Sequence, residues 1–278
     1  MPSLFRRLVP ASLSFALAAC AAGAASAQQA HSWEMNFQPA ATVIMEHVRS
    51  FHWFLLAIIT VIVLLVMALL AVCIVRFNQR SNPIPSKTSH NALIEVVWTV
   101  VPVLILVLIA IPSFRLLFEQ AVIPKQIDLT VKATGHQWYW SYEYPDQGNF
   151  GFDSLMKQAN ELKPGEPRLL AVDNEMVVPV GKTVRLLTTG ADVIHAFGVP
   201  SFGITIDSIP GRINEAWFRI ERPGVYYGQC RELCGKDHAF MPIAVRAVPE
   251  DEFARWADEA KKKIGAAAPA TEFAANDR

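Results

Sequence analysis

Cys230-Arg231-Glu232-Leu233-Cys234-Gly235-Lys236-Asp237-His238-Ala239-Phe240-Met241 sets two thiols four residues apart, an imidazole four residues later and a thioether three later still. An exported thiol pair has three ordinary fates: a disulfide, a zinc site or a copper site. A disulfide leaves His238 and Met241 without a role. Structural zinc takes four Cys or His ligands and does not use a thioether. Thiolate, thioether and imidazole together select copper. A single blue-copper ion needs two His, one Cys and a weak axial Met, so the second cysteine would be surplus. Two thiolates bridging two coppers use every soft donor, provided another histidine arrives from elsewhere. His195, in Asp192-Val193-Ile194-His195-Ala196-Phe197, follows a predicted strand and is the best candidate, with His136 as its rival. Spacing favours copper and leaves zinc and a disulfide open.

Outward from this loop the chain reads as all-β. Short β-rich runs occur at 127–134, 137–144, 169–172, 183–189, 215–220, 225–229 and 243–248. Turn signals such as Lys163-Pro164-Gly165-Glu166, Pro210-Gly211 and Arg222-Pro223-Gly224 separate them. Many short strands with regular turns indicate a sandwich or barrel. In Gly135-His136-Gln137-Trp138-Tyr139-Trp140-Ser141-Tyr142-Glu143-Tyr144, strand alternation puts Trp138 and Trp140 on one face and Tyr139 on the other. A helix is expected over 250–264, with Phe253, Trp256 and Ala260 on one side. The Ala/Pro-rich tail 265–278 is expected to be disordered.

The amino-terminal part is of another kind. Hydrophobic residues make up 52% of the 278 and charged residues only 18%, against about 25% charge in a soluble globular chain. Phe54 to Val75 carries neither charge nor proline, and Val96 to Phe114 is interrupted only by Pro102 and Pro112. About twenty apolar residues span a bilayer, so both runs qualify as membrane helices. Their connection holds Arg76, Arg80 and Lys87 and no acid, which places it in the cytoplasm by the positive-inside rule. Arg6 and Arg7, the apolar run Leu13–Ala22 and Ala25-Ser26-Ala27 compose a secretory signal, with cleavage after Ala27 expected. Leu17-Ala18-Ala19-Cys20 leaves lipidation at Cys20 as an alternative. The expected organisation is a signal peptide at 1–27, an exported segment at 28–50, membrane helices at 51–77 and 93–118 joined by a cytoplasmic loop at 78–92, and an exported domain at 119–264. Lys+Arg and Asp+Glu are equal at 25 each, so no global charge points to nucleic acid. Residues 119–278 nevertheless hold 22 acids against 18 Lys/Arg, a balance suited to a basic partner. Glu95, at the cytoplasmic start of the second span, reads either as a helix-end carboxylate or as the mouth of a proton route in a partner.

The Cys-x-Glu-x-Cys-x-x-x-His-x-x-Met loop, together with Asp207-Ser208-Ile209-Pro210-Gly211-Arg212, Tyr226-Tyr227-Gly228-Gln229 and the two spans, resembles subunit II of cytochrome c oxidase from about Phe51 through Glu252. Nitrous oxide reductase shares a similar ligand loop but lacks the hairpin and normally has an aromatic residue where Glu232 stands. The resemblance implies a two-helix membrane hairpin followed by a cupredoxin-like Greek-key sandwich carrying a binuclear copper A centre. Cys230 and Cys234 would bridge the coppers, His195 and His238 would bind one each, Met241 would be a weak axial ligand, and the Glu232 carbonyl would complete the set. The Glu232 carboxylate would reach a magnesium or manganese ion shared with subunit I. Trp138 would receive electrons from cytochrome c, with Glu143, Asp153, Asp192 and Asp207 as an acidic docking surface. Glu95 would be the proton-route entrance. Subunit I, with its haem and copper B, and further oxidase subunits would be the partners, in a bacterial inner membrane with both termini periplasmic. Oxygen reduction to water and proton pumping would occur in subunit I. Phe197 departs from the Trp common two residues after the first ligand histidine. A quinol oxidase subunit would lack the copper ligands, and a copper-storage or copper-delivery protein has no use for the hairpin, Glu95 or the aromatic strand.

Overall fold

A computed structural model describes residues 30–265; the expected signal sequence with Cys20, and most of the tail expected to be disordered, lie outside the described residues. Two long helices come first, α1 (Val43–Arg76) and α2 (Ala92–Ala121). At 1.5 Å per residue they are about 51 and 45 Å long, more than the roughly 30 Å of a hydrocarbon core. Both are long and apolar enough to cross a membrane, and neither apolar window has a residue buried within the chain. Such helices satisfy their own backbone groups, as lipid requires. Pro102 and Pro112 sit inside α2; each lacks an N–H and leaves a carbonyl one turn earlier without its helical partner.

The first helix begins well before its apolar run because its opening turn is packed on other parts of the chain. The Thr42 side chain caps it, accepting from Met45 N at 3.1 Å, and Ile44 and Met45 are buried. Thr42 also donates to the Phe202 carbonyl at 2.7 Å and bridges to Ile220. Arg222 donates to the Ala40 carbonyl, and Trp217 Nε1 to the Glu119 carbonyl at the end of α2. These bonds seat the β-domain on one end of the hairpin.

That domain has ten strands: β1 (Leu129–His136), β2 (Tyr139–Tyr144), β3 (Phe150–Ser154), β4 (Met176–Pro179), β5 (Val184–Gly190), β6 (His195–Val199), β7 (Ile204–Ser208), β8 (Asn214–Phe218), β9 (Gly224–Cys230) and β10 (Pro242–Val248). They form two five-stranded sheets, β3-β2-β1-β5-β8 and β4-β10-β9-β6-β7. The β1–β5 and β4–β10 pairs are parallel and the others antiparallel. Alternation drives the packing. Val184, Leu186 and Thr188 point inward from β5, as do Trp140, Tyr142 and Tyr144 from β2. Phe197, Tyr226, Ile243 and Val245 meet them from the second sheet. The carboxy-terminal helix α3 (Glu250–Gly265) lays Trp256 against Tyr144, ring centroids 5.2 Å apart, and against Phe150 and Phe152. The sandwich is cupredoxin-like, as expected.

Three local expectations need correction. Residues 169–172 form no strand: they belong to a turn in which Ala171 N donates to the Pro167 carbonyl, and only Val172 makes an isolated bridge, to Met156. Four strands, β3, β4, β6 and β7, lie where no strand was expected. Trp138 does not share a face with Trp140. It occupies the tight turn between β1 and β2, where His136 pairs with Tyr139, so strand alternation does not extend to it.

Candidate metal centre

His195 opens β6, Cys230 closes β9, and Cys234, His238 and Met241 lie in the loop before β10. Two neighbouring strands and one short loop therefore bring the five donors together. Cys230 Sγ stands 3.9 Å from His195 Nδ1, 3.9 Å from Cys234 Sγ and 3.3 Å from the Glu232 carbonyl oxygen. Cys234 Sγ lies 3.5 Å from His238 Nδ1 and 3.4 Å from Met241 Sδ. The donor atoms of His195, Cys230 and Cys234 are all within 4.8 Å of one another and all three residues are buried. A disulfide needs sulfurs about 2.05 Å apart, and both cysteines are free.

His195 is held from behind. Its Nε2 donates to Asp192 Oδ1 at 2.8 Å; a carboxylate only accepts, so the proton is on Nε2 and the Nδ1 lone pair faces the thiols. Asp192 is fixed in turn by the N–H of Val193 (2.7 Å) and of Gln137 (2.8 Å). A carboxylate behind a ligand imidazole fixes its tautomer and raises its basicity. Gly135 lies directly against the ring: a β-carbon there would stand 2.7 Å from His195 Cγ. Sequence reading placed Asp192 on the surface for docking and did not single out Gly135 or Gln137. The glycine before His136-Gln137-Trp138 was the available signal for a close approach.

The electrostatics suit a cation. Burial opposes ionisation of Cys230, but hydrogen bonding with His195, with the backbone of Ala196 and Glu232 and with His238 outweighs it and lowers the thiol below its ordinary value. Burial pushes the Cys234 thiol up, and the neighbouring Cys230 adds to the rise. Burial disfavours protonated His195, yet hydrogen bonds to Cys230 and Asp192 raise it above its ordinary value. Burial works against ionised Asp192 too, and its bonds to His195, Val193 and Gln137 carry it the other way, below the usual carboxylate range. Two sulfurs, two imidazole nitrogens, a thioether and a carbonyl oxygen are the donors that copper accepts. The residues present fit a two-copper group.

Trp138 lies half-buried against this loop. Its Nε1 donates to the Cys234 carbonyl at 3.3 Å, as Gln137 Nε2 does at 2.8 Å, and Lys236 Nζ sits 5.5 Å from the ring centre. The Glu232 side chain is exposed. The other acids differ in their surroundings. Glu143 is paired with Lys132 at 2.8 Å, and Asp153 accepts from Ser141 Oγ at 2.6 Å. Asp207 is exposed on β7, and its carboxylate has no ion-pair partner among the described residues. Glu95 is remote from the donors, in the first turn of α2. There Asn91 Oδ1 accepts from Ile94 N at 3.2 Å, and Glu95 Oε1 accepts from Asn91 N at 3.3 Å. That reciprocal pair caps the helix in the manner of a capping box.

Known proteins resemble the chain along most of its length. The family model described as cytochrome C oxidase subunit II, periplasmic domain, matches residues 129–248, and that described as cytochrome C oxidase subunit II, transmembrane domain, matches residues 30–116. The probable cytochrome c oxidase subunit 2 of Rickettsia bellii is 52% identical over 244 residues, covering 88% of this chain and 90% of the relative. Cytochrome c oxidase subunit 2 of Zea mays is 43% identical over 232 residues, 82% of this chain and 89% of the relative. Among solved structures, the periplasmic domain of subunit II of cytochrome oxidase of Bradyrhizobium japonicum is 63% identical with a TM-score of 0.48, over 51% of this chain and 99% of that one.

Proposed function

Because the chain belongs to the cytochrome c oxidase subunit II family, we propose that it collects electrons from cytochrome c at a copper A centre and passes them to haem in subunit I. As an integral membrane subunit of the haem-copper oxidase it would share in the reduction of oxygen to water, with proton pumping in subunit I. The observation that supports this reading is the pair of unbridged thiols 3.9 Å apart, each with a histidine Nδ1 beside it. Copper A, when bound, supplies a one-electron couple. Cys230, Cys234, His195 and His238 would hold it, with Met241 and the Glu232 carbonyl completing the set. Asp192 keeps His195 in the tautomer that presents Nδ1. The exposed Glu232 carboxylate would meet magnesium or manganese at the subunit I face.

Trp138 is the proposed point of electron uptake, since its half-buried ring reaches from the surface to the Cys234 carbonyl. Asp153 and Asp207, with Glu143 and Asp192, would attract a basic cytochrome c. Trp138→Ala is expected to slow copper reduction by cytochrome c about tenfold or more, equivalent to at least about 1.4 kcal/mol of barrier, while copper content and optical spectrum stay unchanged. Stopped-flow reduction of the purified oxidase measures it; an unaltered rate removes Trp138 from the route.

The basic loop with Arg76, Arg80 and Lys87 supports a hairpin whose sandwich end faces the periplasm of a bacterial inner membrane, with both termini on that side and signal cleavage after Ala27, or lipidation at Cys20, during export. Glu95 then lies on the cytoplasmic side, and we assign it the entrance of a proton route. Glu95→Gln keeps an oxygen to accept from Asn91 N–H, so the helix loses at most about 1 kcal/mol of dipole stabilisation. Turnover of the assembled oxidase should fall severalfold while copper reduction by cytochrome c remains normal. Normal turnover in that variant would return Glu95 to a helix cap alone.

A further inference from the structure

At the sandwich end of the hairpin, α1 and α2 separate around a cleft of about 440 Å³ that the electron route does not use. Its polar lining is His47, Ser50, Arg115 and Glu119, and its apolar lining includes Phe54, Pro112 and Leu116. His47 and Glu119 lie at the sandwich end and Phe54 and Pro112 farthest from it, with Ser50 and Arg115, and also Phe51 and Leu116, between them. Phe54 opens the uncharged run of α1, and Arg115 immediately follows the uncharged run of α2. Both walls therefore run from polar at the sandwich end to apolar about two turns farther in. From Phe54 to His47 the helix climbs about 10 Å, comparable to one headgroup layer of a bilayer.

The charges in the cleft are not self-satisfied. Glu119 lies one turn from Arg115 but turns to His47, whose Nδ1 meets its two oxygens at 3.0 and 2.9 Å. Arg115 is exposed and forms no ion pair among the described residues. A free guanidinium with a serine hydroxyl near it, above an apolar floor that opens to the hydrocarbon, complements a phosphodiester joined to acyl chains.

We infer that this cleft binds a membrane phospholipid, with the phosphate on Arg115 and Ser50 and an acyl chain along Phe54 and Pro112. The test uses the full-length oxidase complex, purified in detergent, washed of loosely held lipid and read by native mass spectrometry and lipid phosphorus. Wild type and Arg115→Lys should keep a bound phospholipid that Arg115→Gln loses and that Phe54→Trp, by filling the floor, also loses. An affinity drop of about tenfold in each losing variant is expected, about 1.4 kcal/mol, with copper content and melting temperature unchanged to show that the chain is folded. Equal phospholipid retention in all four proteins overturns the proposal. So does displacement of the lipid by millimolar inorganic phosphate, which would make the cleft a simple anion site. A wild-type complex that holds no lipid sensitive to either substitution would show a neighbouring subunit seated there, and overturns it too.

Discussion

Cys234→Ser is expected to give a folded chain that holds no binuclear copper, with complete loss of oxidase turnover. Serine is nearly the size of cysteine, but its hydroxyl stays protonated at neutral pH and offers a hard oxygen where two soft ions need a shared thiolate. The position is buried, and its sulfur touches Cys230, His238 and Met241 within 3.9 Å. One substitution therefore removes the contact common to three other donors. The cost to the fold is that of one poorly bonded buried hydroxyl, about 1–3 kcal/mol. Metal analysis with optical and electron paramagnetic resonance spectra of the purified subunit decides the outcome. Met241→Leu should retain copper with a shifted potential, since a thioether is a weak axial donor. A Cys234→Ser protein with two coppers and an unchanged spectrum would sink the assignment.

Gly135→Ala should have the next largest effect, although Gly135 touches no metal. The new methyl group would lie 2.7 Å from His195 Cγ and 2.8 Å from its Cβ and Cδ2. The ring has little room to yield. Asp192 grips Nε2, and Trp140 packs against it with centroids 6.1 Å apart. Gly135 is itself paired to Trp140 on one side and to Gly190 on the other, so β1 is also confined. Overpacking of this kind costs about 1–3 kcal/mol. If strand and ring share the shift, copper affinity falls together with thermal stability. Copper titration and thermal unfolding of the apo subunit measure the two separately. Unchanged copper affinity would mean that β1 moves freely, and that the glycine does not set the ring.

The parts of this architecture legible in the sequence are those in which chemistry is local. Cys230, Cys234, His238 and Met241 fall within twelve residues because one loop carries them, so spacing alone exposes a candidate metal site. The membrane helices were legible because length and absence of charge suffice. Strands with clean alternation, such as Val184–Gly190, were also readable. Strand β6 was not: all five residues are buried, Gly198 interrupts it and Pro200 follows, so period two never appears. Strand β4 has four residues and ends in proline, and β3 contains Gly151 and Asp153. Trp138 was misplaced because alternation assumes an extended chain, whereas Gln137 and Trp138 turn. The role of Asp192 depends on a bend that brings it beneath a histidine three residues later. Acid content alone suggests only surface charge.

Between the end of α2 and the start of β1 lie seven residues, 122–128. As a free tether they would let the sandwich wander over about 15 Å, at 5–6 Å times the square root of the residue number. The bonds from Thr42 to Phe202 and from Arg222 to Ala40 at the start of α1, and from Trp217 to Glu119 at the end of α2, remove that freedom, because they hold the sandwich to both helices. The hairpin thus acts as a surveyor's tripod. Its feet are set by the bilayer, and its head carries the thiols at one fixed height and bearing. Any protein that grips the two helices inherits the coordinates of the metal loop, without having to touch the sandwich to find it.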